Sequence, residues 1–129
     1  MSAKEIQELV NSLHYWDARV THLSCNYFAD EIELIYEDEG SGVVYKFIGC
    51  YKSVFDHVKG YDKFCPVKEM SRPQIPYFLQ DVKFGEIIEQ EISFYTCKIN
   101  MFPLYLEIWC KDIEITKQEI TESNGQITE

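Results

Sequence analysis

Glu31-Ile32-Glu33-Leu34-Ile35-Tyr36-Glu37 alternates apolar and acidic residues with a period of two. That period puts Ile32, Leu34 and Tyr36 on one face of a strand and Glu31, Glu33 and Glu37 on the other. Glu39-Gly40-Ser41-Gly42 follows with residues that tolerate positive φ, and Val43-Val44-Tyr45-Lys46-Phe47-Ile48 resumes the β-forming run. The two runs therefore read as a hairpin with one apolar face, which needs a further layer to cover it.

Upstream, Ser2 with Glu5 three residues later forms a capping-box pattern, and Ile6, Leu9, Val10 and Leu13 recur at helical spacing, so a helix is expected through about residue 13. From Ala18 the period changes to two, and Arg19 to Tyr27 reads as a strand closed by a turn at Ala29-Asp30-Glu31. Downstream, Gly49 marks a bulge or a close approach, and Cys50 to Val58 continues as a weakly apolar strand. Gly60, Pro66, Pro73 and Pro76 make residues 59–76 an irregular excursion with one short helical turn near Val67 to Met70. Strands resume at Tyr77 to Phe84, Glu91 to Ile99 and Leu104 to Cys110, the last extended by Asp112 to Thr116, with Asn100-Met101-Phe102-Pro103 as a connecting turn. One helix and short connections favour antiparallel pairing. The expected fold is α+β: an N-terminal helix packed on a largely antiparallel sheet of about six strands. A single domain is expected over residues 1–118, with a polar, flexible tail over 119–129. Phe47, Phe55, Phe84 and Phe94 are expected in the core.

The chain has 129 residues, 46% apolar and 15% aromatic, which suits one core-bearing domain and excludes a disordered chain. Its formal net charge of −10 disfavours contact with phosphate backbones or anionic lipid, so neither nucleic acid nor a membrane is an expected partner. A basic protein would be attracted. The five cysteines, Cys25, Cys50, Cys65, Cys97 and Cys110, form no close pair that could clip a metal, and Cys50, Cys97 and Cys110 lie in apolar runs. They read as free thiols of a reducing compartment, which points to the cytoplasm. The opening Met1-Ser2-Ala3-Lys4 leads straight into the amphipathic pattern without a continuous apolar segment, so neither secretion nor membrane insertion is expected.

Chemistry-bearing clusters are sparse. His14, His22 and His57 form no paired-imidazole motif. Asp56-His57 with Asp62 offers a mixed nitrogen and oxygen ligand set, against which stands the ordinary alternative of a surface histidine among turn carboxylates. Cys50 or Cys65 with His57 as base is a possible nucleophile arrangement on paper. No glycine-rich phosphate loop exists, since Gly40 and Gly42 sit between strands. No metal, cofactor or catalytic residue is assigned. Glu37-Asp38-Glu39 and the Glu89/Glu91 pair either stay solvated or form an acidic contact for a basic partner.

Leu13-His14-Tyr15-Trp16-Asp17-Ala18-Arg19-Val20 resembles the LH-x-DA-x-V opening of small bacterial proteins grouped with immunity proteins of polymorphic toxin systems. Phe47-Ile48-Gly49-Cys50 and Ile108-Trp109-Cys110-Lys111-Asp112-Ile113 stand where those proteins carry further strand motifs. Tyr15-Trp16 lengthens the commonest spacing between His14 and Asp17. The resemblance implies a non-enzymatic interaction module that inhibits a basic toxin. On the residues themselves, Asp17 is expected to pair with His14 and close the helix-to-strand corner. The acidic and aromatic residues Glu37, Asp38, Glu39, Tyr51, Asp56, His57 and Tyr61 are the expected partner contacts. Two alternatives stay open: a small-ligand binder or enzyme with its site under the 59–76 excursion, and a homodimer subunit that pairs through an edge strand.

Overall fold

The computed structural model describes residues 1–63, 65–120 and 127–128. Helix α1 (Ala3–Ser12) begins where the capping box puts it: the Ser2 backbone N–H donates to Glu5 Oε1 at 3.0 Å, and the Glu5 N–H donates to Ser2 Oγ at 3.1 Å. Hydrogen bonding to Ser2, foremost from its backbone N–H, holds the Glu5 carboxyl below its ordinary range. Ile6 and Val10 bury their side chains on the helix's inner stripe.

Strands β1 (Val20–Asn26), β2 (Glu31–Asp38), β3 (Ser41–His57), β4 (Asp81–Glu89), β5 (Ile92–Met101), β6 (Leu104–Ile120) and the two-residue β7 (Ile127–Thr128) follow. All pairings are antiparallel, in the order β1-β2-β3-β6-β5-β4, with β7 against the end of β6. The helix-on-antiparallel-sheet architecture is the expected one. Ile32, Leu34 and Tyr36 are fully buried opposite Phe47, Tyr45 and Val43, so the alternation that selects the hairpin also selects the core. Of the tail expected over 119–129, residues 121–126 and 129 lie outside the described residues, while 119–120 continue β6 and pair with β7.

The weakly apolar stretch after Gly49 is strand, as expected: β6 pairs with it from Cys50↔Cys110 to His57↔Leu104 and supplies the ladder that local hydrophobicity does not demand. Gly49 takes φ +66, a Cβ there would sit 3.2 Å from the Lys111 side chain, and the register slip falls just beyond it, between Cys50 and Lys52. Tyr77 to Gln80 lies outside β4. It is an extended segment laid against the start of β1, with the Asp17 N–H donating to Leu79 O, the Leu79 N–H to Ala18 O and the Val20 N–H to Tyr77 O, at 2.8, 2.9 and 2.8 Å. These bonds draw the two ends of the sheet toward each other. β4 then runs past Phe84 to Glu89, and Gln90 and Glu91 make the turn to β5 with φ of 51 and 67, a turn that carries no glycine to announce it. The excursion holds two short 3-10 turns, Val67–Glu69 and Arg72–Gln74. Phe47 and Phe94 are buried and Phe84 packs against the core, but Phe55 is exposed, at the far end of β3 beyond the packed layer.

β4 is an edge strand, and α1 covers it. The Gln7 side chain takes the place of a neighbouring strand: the Phe84 N–H donates to Gln7 Oε1 at 2.7 Å, and Gln7 Nε2 donates to Val82 O at 2.8 Å. The Ala3 N–H adds a bond to Glu86 Oε1 at 2.8 Å. No helix among the described residues is long and apolar enough to cross a membrane.

Gln7→Ala removes both surrogate ladder bonds and is expected to lower unfolding free energy by about 1–3 kcal/mol. Gln7→Glu, which keeps an acceptor for Phe84, is expected to fall between. Urea denaturation reads both, and an unchanged midpoint for Gln7→Ala would remove the edge-covering role.

Candidate functional site

The residues expected to contact a partner fall at opposite ends of β3. Ser41 and His57 are its first and last residues, sixteen steps of about 3.3 Å or on the order of 50 Å along the strand. The Glu37-Asp38-Glu39 tip therefore cannot share one compact patch with Asp56, His57 and Tyr61.

At the tip only Glu39 projects without a cationic partner among the described residues; it takes φ 34 beside Gly40 in the two-residue turn. Asp38 pairs with Lys117 at 3.1 Å. Glu37 lies between two arginines, 4.0 Å from Arg19 Nη1 and in direct contact with Arg72 Nε. Arg19 also stacks on Phe78 at 4.8 Å and donates to Ile75 O at 3.3 Å. Glu37 thus ties the excursion to β1 and β2 through Arg72 and Arg19.

At the other end, Tyr61 meets Phe102 edge-on at 5.7 Å. Asp56 and His57 are strand neighbours and point to opposite faces, so Asp56-His57-Asp62 does not converge as a ligand set. No cluster of three or more His, Cys, Asp or Glu side chains placed to hold a metal is found among the described residues. Tyr51 stacks on Phe94 at 4.8 Å and faces Trp109 at 6.4 Å, and this group is covered by cations: Lys52 lies 4.7 Å over Trp109 and Lys111 5.1 Å over Phe94. Tyr51 is accordingly fringed by lysines. At the helix-to-strand corner His14 and Asp17 both adopt positive φ, 50 and 61, and the Asp17 N–H bonds Leu79 O at 2.8 Å. The expected side-chain pair between them does not form; backbone bonding closes the corner, and the Tyr36 hydroxyl adds a bond to Leu13 O at 3.3 Å.

An apolar cleft of about 320 Å³ runs along β1 beside the excursion, lined by Leu23, Phe55, His57, Val67, Ile75 and Leu104 among others. His57 faces it, but no hydrogen bond joins His57 to a cysteine. Cys50 lies seven residues back along β3, roughly 20 Å, and burial together with the Asp30 carboxylate pushes its thiol up to about 11. Burial raises Cys110 to about 12 and Cys97 well above the ordinary thiol range. These three sulfurs are therefore protonated near neutral pH and poor nucleophiles. All five cysteines are free.

Acidic residues gather on the face of β1, β2, β3 and β6 away from the core. Register places Ser24, Glu33, Lys46 and Glu114 in one cross-strand row, and Asn26, Glu31, Ile48 and Asp112 in the next. Lys46 reaches Glu31 at 3.7 Å, and His22 reaches Glu33 at 3.5 Å. Asp112 and Glu114 are exposed and make no ion pair among the described residues. The two rows thus bring four carboxylates together with Lys46 and the nearby His22, beside the half-buried Ile35 and Ile48, while Glu37 on the same face is held by Arg19 and Arg72. Sequence alternation places Glu31 and Glu33 on this face; adding Asp112 and Glu114 requires the pairing of β6 with β3, which joins residues more than sixty apart in the chain.

The turn joining β1 to β2 carries a feature that hydropathy patterning does not single out. Tyr27 is 72% exposed and Phe28 completely so, and Tyr27, Phe28 and Ala29 take φ of 53, 58 and 66 in succession. The Asp30 N–H closes the turn on Tyr27 O at 3.0 Å. In sequence, Tyr27 reads as the end of a strand and the turn as Ala29-Asp30-Glu31; in the structure the turn begins at Tyr27.

Glu37→Gln is expected to weaken the hold of Arg72 and Arg19 on the excursion. Limited proteolysis within residues 59–76 should quicken several-fold, with a stability loss of about 1 kcal/mol or less. An unchanged cleavage rate would show that Glu37 does not anchor this segment.

The family model described as Immunity protein PIM7 matches residues 2–117, from the cap of α1 to within three residues of the end of β6. No curated protein matches the chain. The chain belongs to the PIM7 immunity-protein family.

Proposed function

We propose that this member of an immunity-protein family is a non-enzymatic inhibitor that captures a basic toxin on the acidic face of β1, β2, β3 and β6. The observation that carries the reading is the pair of cross-strand rows ending in Asp112 and Glu114, whose carboxylates are exposed and unpaired among the described residues. A rigid sheet holds these charges in place before the partner arrives, so attraction accelerates encounter with little ordering cost. The half-buried Ile35 and Ile48 on the same face give a close-packed contact once charge has brought the surfaces together. Glu39, beside Glu37 and Asp38, extends the acidic field at one end of β3. Asp56, His57 and Tyr61 lie toward the other end of β3, with Asp56 and His57 on opposite faces and Tyr51 between the two ends, so the same partner reaches them only by spanning the strand. Free thiols throughout suit a reducing cytoplasm.

A second reading is carried by the cleft beside residues 67–75, whose volume of about 320 Å³ and apolar lining would hold a small apolar ligand. Nile red tests it: enhanced emission that disappears in Val67→Trp supports a ligand site there, and no enhancement in the wild-type protein removes it.

For the inhibitor reading, native mass spectrometry of the protein recovered from its source cells, at low and then high salt, identifies the partner. A stoichiometric complex with a basic protein whose toxicity the chain suppresses is expected. The double variant Asp112→Lys/Glu114→Lys should then slow association with that purified toxin by roughly tenfold or more and flatten its salt dependence. An association rate unchanged in rate and in salt response would overturn the acidic-face assignment.

A further inference from the structure

Several exposed aromatic residues elsewhere on this molecule lean on a neighbouring ring, and Phe55 and Tyr105, which do not, are at most 41% exposed. Trp16 stacks on Tyr15 at 4.4 Å, Tyr51 on Phe94 at 4.8 Å, and Tyr61 meets Phe102 at 5.7 Å. Tyr27 and Phe28 stack on no ring among the described residues, and Phe28 has its whole side chain in solvent. Their backbone is costly as well as bare: three consecutive residues, none of them glycine, occupy the left-handed region, where a Cβ crowds the carbonyl and bulky side chains are rare. Glycine would make this turn without strain. A fold that holds two aromatic rings outward on strained backbone, with no ring stacked on either to offset it, has the signature of a binding element.

The setting of the turn indicates what it binds. Asn26 and Glu31, the residues flanking it, begin the row that continues through Ile48 to Asp112. Asp30 belongs to the turn itself, and the Cys50 N–H donates to Asp30 O at 2.9 Å, which fixes the turn to the middle of β3. The cations nearest in register are engaged: Lys46 with Glu31, and Lys111 with the Phe94 ring and Ser93 O. The aromatic pair therefore stands at the margin of a surface holding Asp30, Glu31, Glu33, Asp112 and Glu114. A second copy of this chain would bring the same acidic face and a net charge of −10 against it, which disfavours self-pairing there.

We propose that the Tyr27-Phe28 turn is the anchor of the inhibitory complex, and that its rings enter an apolar pocket rimmed by Lys and Arg side chains on the basic toxin. This rests on the inhibitor reading above and adds to it a division of labour. The carboxylates set the rate of encounter, and the two rings set the lifetime of the complex. The strained turn holds the rings in place before contact, so little order is lost when they seat.

The test uses the full-length protein and the toxin purified from the native complex, followed by stopped-flow association and dissociation. Phe28→Ala is expected to speed dissociation by roughly thirtyfold and Tyr27→Ala by roughly tenfold, with association rates changed by no more than about threefold. The melting temperature of Phe28→Ala should not fall, because that ring is wholly in solvent, and that of Tyr27→Ala should fall little, because Tyr27 is 72% exposed; Ala29→Gly, which relieves strain and keeps both rings, should melt higher. A dissociation rate unchanged in Phe28→Ala overturns the anchor even if Asp112→Lys/Glu114→Lys still slows association. If neither set of variants changes either rate, the acidic-face reading fails with it. In source cells, p-benzoylphenylalanine at position 28 should crosslink on irradiation to one basic protein, and the same group at Tyr105 should not. No adduct from position 28, an equal adduct from position 105, or an adduct of twice the chain's own mass, which marks a second copy, would each overturn the proposal.

Discussion

The pairing of β3 with β6 carries the rest of the molecule. Both strands are seventeen residues long, and their ladder runs from Ser41↔Glu119 to His57↔Leu104 with one register slip near Gly49. β2 and β1 are built outward from one side of this ladder, and β5 and β4 from the other. Its length separates two regions of different character. The acidic rows occupy the half that holds Lys46 and Glu114. The lysine-covered aromatic group of Tyr51, Phe94 and Trp109 begins just past the slip. Without the long ladder these regions would not be held at fixed positions on one rigid body.

A sheet built outward from its centre has two edges to manage. At β4 the Gln7 amide bonds the ladder groups of Val82 and Phe84, so the N-terminal helix acts as a surrogate strand. At β1 only the start is covered, by Tyr77 to Leu79, and the remainder borders the apolar cleft beside the excursion. Glu37, with its two arginines, holds that excursion in place. An acidic residue on a hairpin is thus committed to internal architecture, whereas Asp112 and Glu114, on the long strand, make no ion pair among the described residues. Membership of an immunity-protein family gives this distribution its functional sense, because a protein-interaction role is served by surface that the fold has not consumed.

Much of the secondary structure is legible in the residues because the signals are local. Ser2 and Glu5 mark the helix start, and the alternation from Glu31 to Glu37 marks both a strand and its buried face. Signals fail where the deciding partner is distant. Tyr77 to Gln80 leaves the strand it resembles because the chain at residues 17–20 bonds it instead. Gln90-Glu91 and Tyr27-Phe28-Ala29 turn at positive φ without glycine, a choice imposed by the strands on either side. Asp56 and His57 look like a ligand pair in sequence and are divided by the pleat of the strand that carries them.

By itself, then, the sequence determined an acidic α+β chain with a capped N-terminal helix, antiparallel strands, a core including Ile32, Leu34, Tyr36 and Phe47, and free thiols. Those properties follow from composition and from periods of two and 3.6, which act over a few residues. Only the tertiary structure decided which carboxylates share a face, that Glu37 is spent on Arg19 and Arg72, and that Tyr27 and Phe28 stand bare on a strained turn. The reason is that register and long-range pairing set the distances between side chains far apart in the chain, and charge attraction and hydrophobic anchoring depend on those distances.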